Sequence, residues 1–268
     1  MSAAAEPDRV NPGGGGPADG DKAGGDVDAR GGAGALVFRR APTEPRAAVL
    51  LLHGGREDAL EPPPLVNLPA ARMRPFASDL VRATSQERVL IGRARYRHRG
   101  WNGPREDAVH DARRALRALL DAAGPVPVVL VGHSMGARAA LRVAGDDRRV
   151  RGVVALAPWC PPGEAVGQLR DRMVAALHDP ADRVTQAART WEHLTRASAA
   201  GARTLAIRMP GGGHAMLRDA RTWQRIATSL TLGMLGLAPL PDSLARQDHS
   251  EATYMTAGQV LTEIDGRT

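Results

Sequence analysis

An α/β architecture, with a mostly parallel central sheet and helices on both faces, is what this sequence predicts, on three observations. Short apolar, β-rich runs alternate with segments whose apolar residues recur at helical spacing, the pattern of parallel strands joined by crossover helices. Some of those runs, such as Ala47-Ala48-Val49-Leu50-Leu51-Leu52, are apolar throughout, as strands covered on both faces must be. The residues able to carry chemistry stand just past strand ends, where an open α/β sheet collects its site.

The elements follow in order along 268 residues. Residues 1–34 are rich in Gly, Ala, Pro and Asp, with Gly13 to Gly16 unbroken, and read as a disordered leader. A single catalytic domain is expected over 35–237, about 200 residues, enough for one sizeable core. Its first clear strand, 47–52, runs into His53-Gly54-Gly55. Met73, Phe76, Ala77, Leu80 and Val81 share one helical face, and a strand follows at 89–95. Ala108, Ala112, Ala115, Leu116, Leu119 and Leu120 make the next face, before a strand at 126–131. Further strands are expected at 150–157, 173–177 and 204–209. Between and after them lie helical faces carrying Val184, Ala187, Ala188, Trp191 and Leu194, then Ala220, Trp223, Ile226, Ala227 and Leu230. Only a short connector fits between Ala157 and Met173, so a minimal cap or none is expected, and an open site. Residues 238–268, with Pro239, Pro241 and scattered polar residues, predict a poorly ordered extension with one weak helical stretch near 256–264.

The chemistry begins at Gly132-His133-Ser134-Met135-Gly136, directly after Val128-Val129-Leu130-Val131 and before the helix-forming Ala137-Arg138-Ala139-Ala140-Leu141. A serine on so tight a strand-to-helix turn projects its hydroxyl clear of the sheet, and flanking glycines let the two backbones approach. A hydroxyl is a poor nucleophile without a base and an orienting acid, which in this architecture lie downstream in the order acid, then histidine. Pro210-Gly211-Gly212-Gly213-His214 follows the last predicted strand and makes His214 the base. Three carboxylates compete for the acid. Asp182 lies deep in the loop after strand 173–177 and is preferred; Asp179, ahead of Pro180, is placed to cap the turn; Glu164 sits in the loop after the preceding strand.

An oxyanion needs two backbone donors. One is the amide of Met135, beside the serine at a helix amino end; the other is Gly55, in the loop after strand 47–52. Trp101 and Trp159 follow strands and are candidates for pocket walls or, equally, for loop anchors; Met135 and Met216 would join them as adaptable apolar surface. His133, inside the elbow, is expected to pack rather than react.

Charge excludes less than it suggests. The net charge is +7, yet Lys22 is the only lysine among 36 basic residues, and the arginines are spread along the chain. The densest cluster, Arg93, Arg95, Arg97 and Arg99, alternates as one side of an extended segment would, and is read as a solvated face, with attraction of acidic substrates as the alternative. No zinc-finger spacing, aromatic-interleaved basic patch or phosphate-cradling loop is present, so neither nucleic acid nor a cofactor or metal is expected. Cys160 is the sole cysteine, which rules out an intramolecular disulfide. The leader has no apolar run after Met1 and no window approaches the roughly 20 apolar residues of a membrane span, so a cytoplasmic location is expected.

On these motifs the chain, from about Leu36 to Leu237, resembles the α/β-hydrolases. Tyr96-Arg97-His98-Arg99-Gly100-Trp101-Asn102-Gly103 and Leu156-Ala157-Pro158-Trp159 are further similar to small serine hydrolases of actinobacterial type grouped near dienelactone hydrolases. Dienelactone hydrolases proper use cysteine where this chain has Ser134, so their substrate does not carry over. The resemblance implies an α/β-hydrolase fold, a triad of Ser134, Asp182 and His214, oxyanion donors Gly55 and Met135, and hydrolysis of a small-molecule acyl ester. The elbow also resembles that of thioesterases serving biosynthetic assembly lines, and a non-catalytic binder on the same fold is the alternative from another class.

Overall fold

The computed structural model describes residues 34–245 and 252–266. The leader expected over 1–34 therefore lies, but for its last residue, outside the described residues. Eight strands form one sheet: β1 (Leu36–Arg40), β2 (Ala47–Leu52), β3 (Val89–Ala94), β4 (Val128–His133), β5 (Val150–Leu156), β6 (Met173–His178), β7 (Arg203–Arg208) and β8 (Thr253–Thr256). Their spatial order is β1-β3-β2-β4-β5-β6-β7-β8, with β1 antiparallel to β3 and every other neighbour parallel. The α/β fold with a mostly parallel sheet is thus as the sequence predicts.

The two-residue period of a strand divides the core in two. Ala48, Leu50 and Leu52 of β2, with Val128 and Leu130 of β4, face one layer of helices: α3 (Asp107–Ala123), α4 (Met135–Val143) and α5 (Ala187–Ala199). Ala47, Val49 and Leu51, with Val129 and Val131, face the other: α2 (Arg74–Ala83), α6 (Ala220–Met234) and α8 (Ala257–Asp265). Two short helices, α1 (Leu68–Arg72) and α7 (Asp242–Ala245), complete the set among the described residues. The connector from β5 to β6 holds a single 3-10 turn, Gly167–Leu169, and no inserted helical domain. No helix among the described residues is long and apolar enough to cross a membrane.

Three expectations are corrected. The extension expected to be poorly ordered over 238–268 holds packed elements among its described residues: β8 pairs with the open edge of β7, Met255 opposite Ile207, and α8 buries Val260 completely. Four residues are too few to announce a strand by alternation, but Thr256 and Gln259 form a capping box, a start signal legible in the sequence. Val184 does not belong to the helical face that starts at Ala187. The amides of Val184 and Thr185 both donate to Asp182 Oδ1, which holds them in the preceding turn and leaves the Val184 side chain exposed. The arginine cluster keeps its solvent exposure at Arg95 and Arg97 but not a single extended face, because β3 ends at Ala94; Arg97 pairs with Asp111 and Arg99 with Glu61.

The strand order reverses direction between β3-β2 and β4-β5, and a cleft opens there, past the carboxyl ends of β2 and β4. Gly55 and Ser134 follow those two strands.

Candidate active site

Ser134 joins β4 to α4 with φ 53° and ψ −119°, a backbone conformation that a non-glycine residue adopts only when its surroundings force it. The surroundings are visible. A Cβ at Gly132 would collide with the backbone of Gly136 and Ala137, and one at Gly136 with the carbonyl oxygens of Leu52 and His53. Both glycines are therefore required by backbone contact, and together they let helix α4 lie against the ends of β4 and β2.

The loop after β7 carries His214 to this turn. His214 Nε2 lies 3.0 Å from Ser134 Oγ, and Nδ1 lies 2.9 Å from Asp182 Oδ2. Of the three competing carboxylates, then, Asp182 is the one that meets the imidazole. Asp179 does what the sequence suggested, and more: Oδ1 accepts from the Ala181 amide at 2.9 Å, while Oδ2 accepts from the Gly213 amide at 2.8 Å and so ties down the histidine loop. Glu164 is elsewhere, in a half-hidden ion-pair cluster with Arg138 and Arg142.

Asp182 is a saturated acceptor. Oδ1 takes the amides of Val184 (2.8 Å) and Thr185 (3.2 Å); Oδ2 faces Thr185 Oγ1 (2.9 Å) and His178 Nε2 (3.2 Å) besides His214. Burial alone would raise its pKa, but the hydrogen bonds from His178, His214 and the Val184 amide outweigh burial and hold it well below the usual carboxylate range. Thr185 Oγ1 also lies 3.1 Å from His214 Nδ1. His133 packs, as expected, with its ring 4.9 Å from that of His214 and Nε2 2.9 Å from the His214 carbonyl oxygen. Sequence reasoning missed His178 and Thr185. The only available signal was their position four residues before and three after Asp182, within one turn-forming loop.

Gly54 and Gly55 border the same turn. A Cβ at Gly54 would stand 3.3 Å from Ser134 Cβ, and one at Gly55 would collide with the side chain of Met135. Ser134 and His214 open onto a cleft of about 500 Å³ walled by Gly55, Pro69, Arg72, Val184 and Ala215. Val184 also borders a neighbouring cleft of about 720 Å³, which contains Trp101, Trp159, Arg138 and Thr185. The tryptophans wall this neighbouring cleft and not the one onto which Ser134 and His214 open. They meet edge to face at 5.9 Å around the Arg138 guanidinium, 3.6 Å from the Trp101 ring and 4.4 Å from that of Trp159. Met216 is corrected: its amide donates to the Gly213 carbonyl, and the turn folds its side chain into the α2–α6 core, off both clefts. Met135 is likewise buried, in the opposite core layer. Among the described residues no three His, Cys, Asp or Glu side chains converge as a metal would require.

Burial also makes this region acid-sensitive. His53, His133 and His193 have pKa values lowered from 6.5 to about 4, about 3 and about 4, burial being the largest cause in each. The unfolded chain protonates these rings near pH 6.5 and the folded one does not, so their contribution to stability is complete above that pH and withdrawn below it. The melting midpoint is accordingly expected to be flat from about pH 8 to about pH 7 and to fall steadily towards about pH 4. Calorimetry across that range checks it, and a midpoint that rises on acidification would contradict it.

The comparisons with known proteins agree with this geometry at the level of the fold. A family profile described as the α/β hydrolase fold matches residues 47–214. No curated protein matches the chain. Among solved structures, an α/β hydrolase enzyme from a Medee basin deep-sea metagenome library is similar with a TM-score of 0.58 at 17% identity, over 75% of this chain and 93% of that one. An α/β serine hydrolase homologue from Coxiella burnetii is similar with a TM-score of 0.55 at 16% identity, over 76% and 95%. The esterase domain of a Rhodothermus marinus protein is similar with a TM-score of 0.51 at 18% identity, over 74% and 91%. At such identities the likeness concerns the fold alone.

Proposed function

The chain belongs to the α/β-hydrolase family, and on that premise we propose that it is a serine hydrolase cleaving carboxylic esters of small acyl substrates. The observation that carries this reading is the unbroken line from Ser134 Oγ through His214 to Asp182, with contacts of 3.0 and 2.9 Å. Ser134 Oγ attacks the acyl carbon as His214 Nε2 takes its proton. Asp182, ionised and fixed by its donors, stabilises the imidazolium through Nδ1–H. The amides of Gly55 and Met135 receive the developing oxyanion, each worth about 3 kcal/mol in enzymes where such a donor has been removed. His214 then protonates the leaving alkoxide, and water, activated by the same imidazole, releases the acid from Ser134. Trp101 and Trp159 give the neighbouring cleft its aromatic wall.

A fluorophosphonate probe is expected to label the protein once, on Ser134, as read by peptide mass spectrometry. Matched oxygen esters and thioesters, compared by kcat/KM, decide the acyl donor. Preference for the thioester would move the assignment to a thioesterase using the same residues. Absence of labelling with no turnover would sink the reading in favour of a binding protein.

A further inference from the structure

Asp182 serves two histidines. His178, the last residue of β6, is fully buried; its Nε2 lies 3.2 Å from Asp182 Oδ2, the oxygen that also meets His214. Its Nδ1 lies 2.8 Å from Thr190 Oγ1, on the first turn of α5. The ionised carboxylate and the Thr185 carbonyl oxygen, also 3.2 Å from Nε2, can only accept, so Nε2 carries the ring proton and shares it between them, and Nδ1 accepts from the Thr190 hydroxyl. The tautomer is set from both sides.

We propose that His178 is a positioning residue for the hydrolytic site: by donating to Asp182 Oδ2 it fixes the carboxylate's orientation and shares the charge that would otherwise act on His214 alone. The inference rests on the reading of Ser134, Asp182 and His214 as the triad and deepens it. Three donors crowd one oxygen: His178 Nε2, Thr185 Oγ1 and His214 Nδ1. Withdrawing one makes the carboxylate more basic, strengthens its hold on the His214 proton and favours the imidazolium. The free enzyme then needs a higher pH to present the neutral base, and the acid limb of kcat/KM moves up.

The other groups facing this network are accounted for. His133 stacks near His214 and feels Arg72; Asp179 is tied to the Ala181 and Gly213 amides; the Trp191 ring lies 6.0 Å from His178; and Cys160 hydrogen-bonds Thr190. None of them donates to Asp182, so a displaced limb reports the lost donor.

Two polar substitutions separate positioning from packing. In His178→Gln the amide nitrogen reaches the place of Nε2 and can still donate to Asp182. In His178→Asn the amide ends near the place of Nδ1 and reaches only Thr190. The pH profile of kcat/KM on an activated ester is measured for both, with fluorophosphonate labelling of the wild-type protein as a separate check on the triad. His178→Asn is expected to raise the acid limb by roughly half a pH unit or more and to lower kcat on the order of tenfold. His178→Gln is expected to return the limb to its wild-type position and to recover most of the rate. A limb unmoved in His178→Asn, whatever the loss in kcat, overturns the proposal, as does an equal displacement in both variants. Should the Asn variant not fold, a displaced limb in the Gln variant overturns it and an undisplaced one supports it. Failure of the wild-type protein to label would strike the triad reading instead.

Discussion

Ser134→Ala is expected to lower kcat by roughly 10⁶ and to leave KM close to its wild-type value, the scale seen when the nucleophile of a serine protease is removed. The reason is that the hydroxyl does all the bond-making. Without Oγ, His214 has nothing to deprotonate but water, and the acyl-enzyme cannot form. What remains is the rate contributed by substrate binding and by the Gly55 and Met135 amides. The fold should tolerate the change. Among the described residues Ser134 Oγ has the single partner His214 Nε2, and its strained φ of 53° is held by backbone contacts at Gly132 and Gly136, which alanine leaves intact. Steady-state kinetics with stopped-flow detection, together with loss of fluorophosphonate labelling, measure the effect. A variant with a tenth of the wild-type rate would remove Ser134 from the mechanism.

The second large effect is expected from the acid. Asp182→Asn should lower kcat by two to four orders of magnitude, on the precedent that the equivalent change in the best-studied serine protease costs about 10⁴. The amide cannot accept from every neighbour. Five donors converge on the two oxygens of Asp182, and an Asn nitrogen turned towards His214 or His178 sets donor against donor and favours the wrong imidazole tautomer. Asp179→Asn is expected to lose roughly tenfold or less, since its carboxylate only tethers the Ala181 and Gly213 amides. Parallel measurement of kcat in the two variants tests the ranking; if Asp179→Asn proves the more damaging, the orienting acid has been misplaced.

Much of this was legible in the chain. Continuous apolar runs and period-3.6 apolar spacing located β2 to β7 and the main helices packed on them, because burial on both faces of a parallel sheet makes its strands apolar throughout and gives each covering helix one apolar stripe. The edge strands β1 and β8 escaped that logic: half-exposed and four or five residues long, they carry little periodic signal, and β8 forms only because β7 offers an open edge. Local motifs likewise marked Ser134 and His214, since an elbow glycine and a glycine-rich loop answer to backbone constraints within a few residues.

The sequence by itself therefore determined the fold class, the tight turn at Ser134 and the chain order of the candidate residues, all of which follow from short-range spacing and sterics. It left three carboxylates open for one role. Only the tertiary structure separated them, by sending Glu164 to Arg138, Asp179 to the Gly213 amide and Asp182 to His214. The same is true of His178 on Asp182 and of Met216 turned into the core. A hydrogen bond depends on distances between atoms of residues that lie up to 81 positions apart in the chain, and folding alone sets those distances.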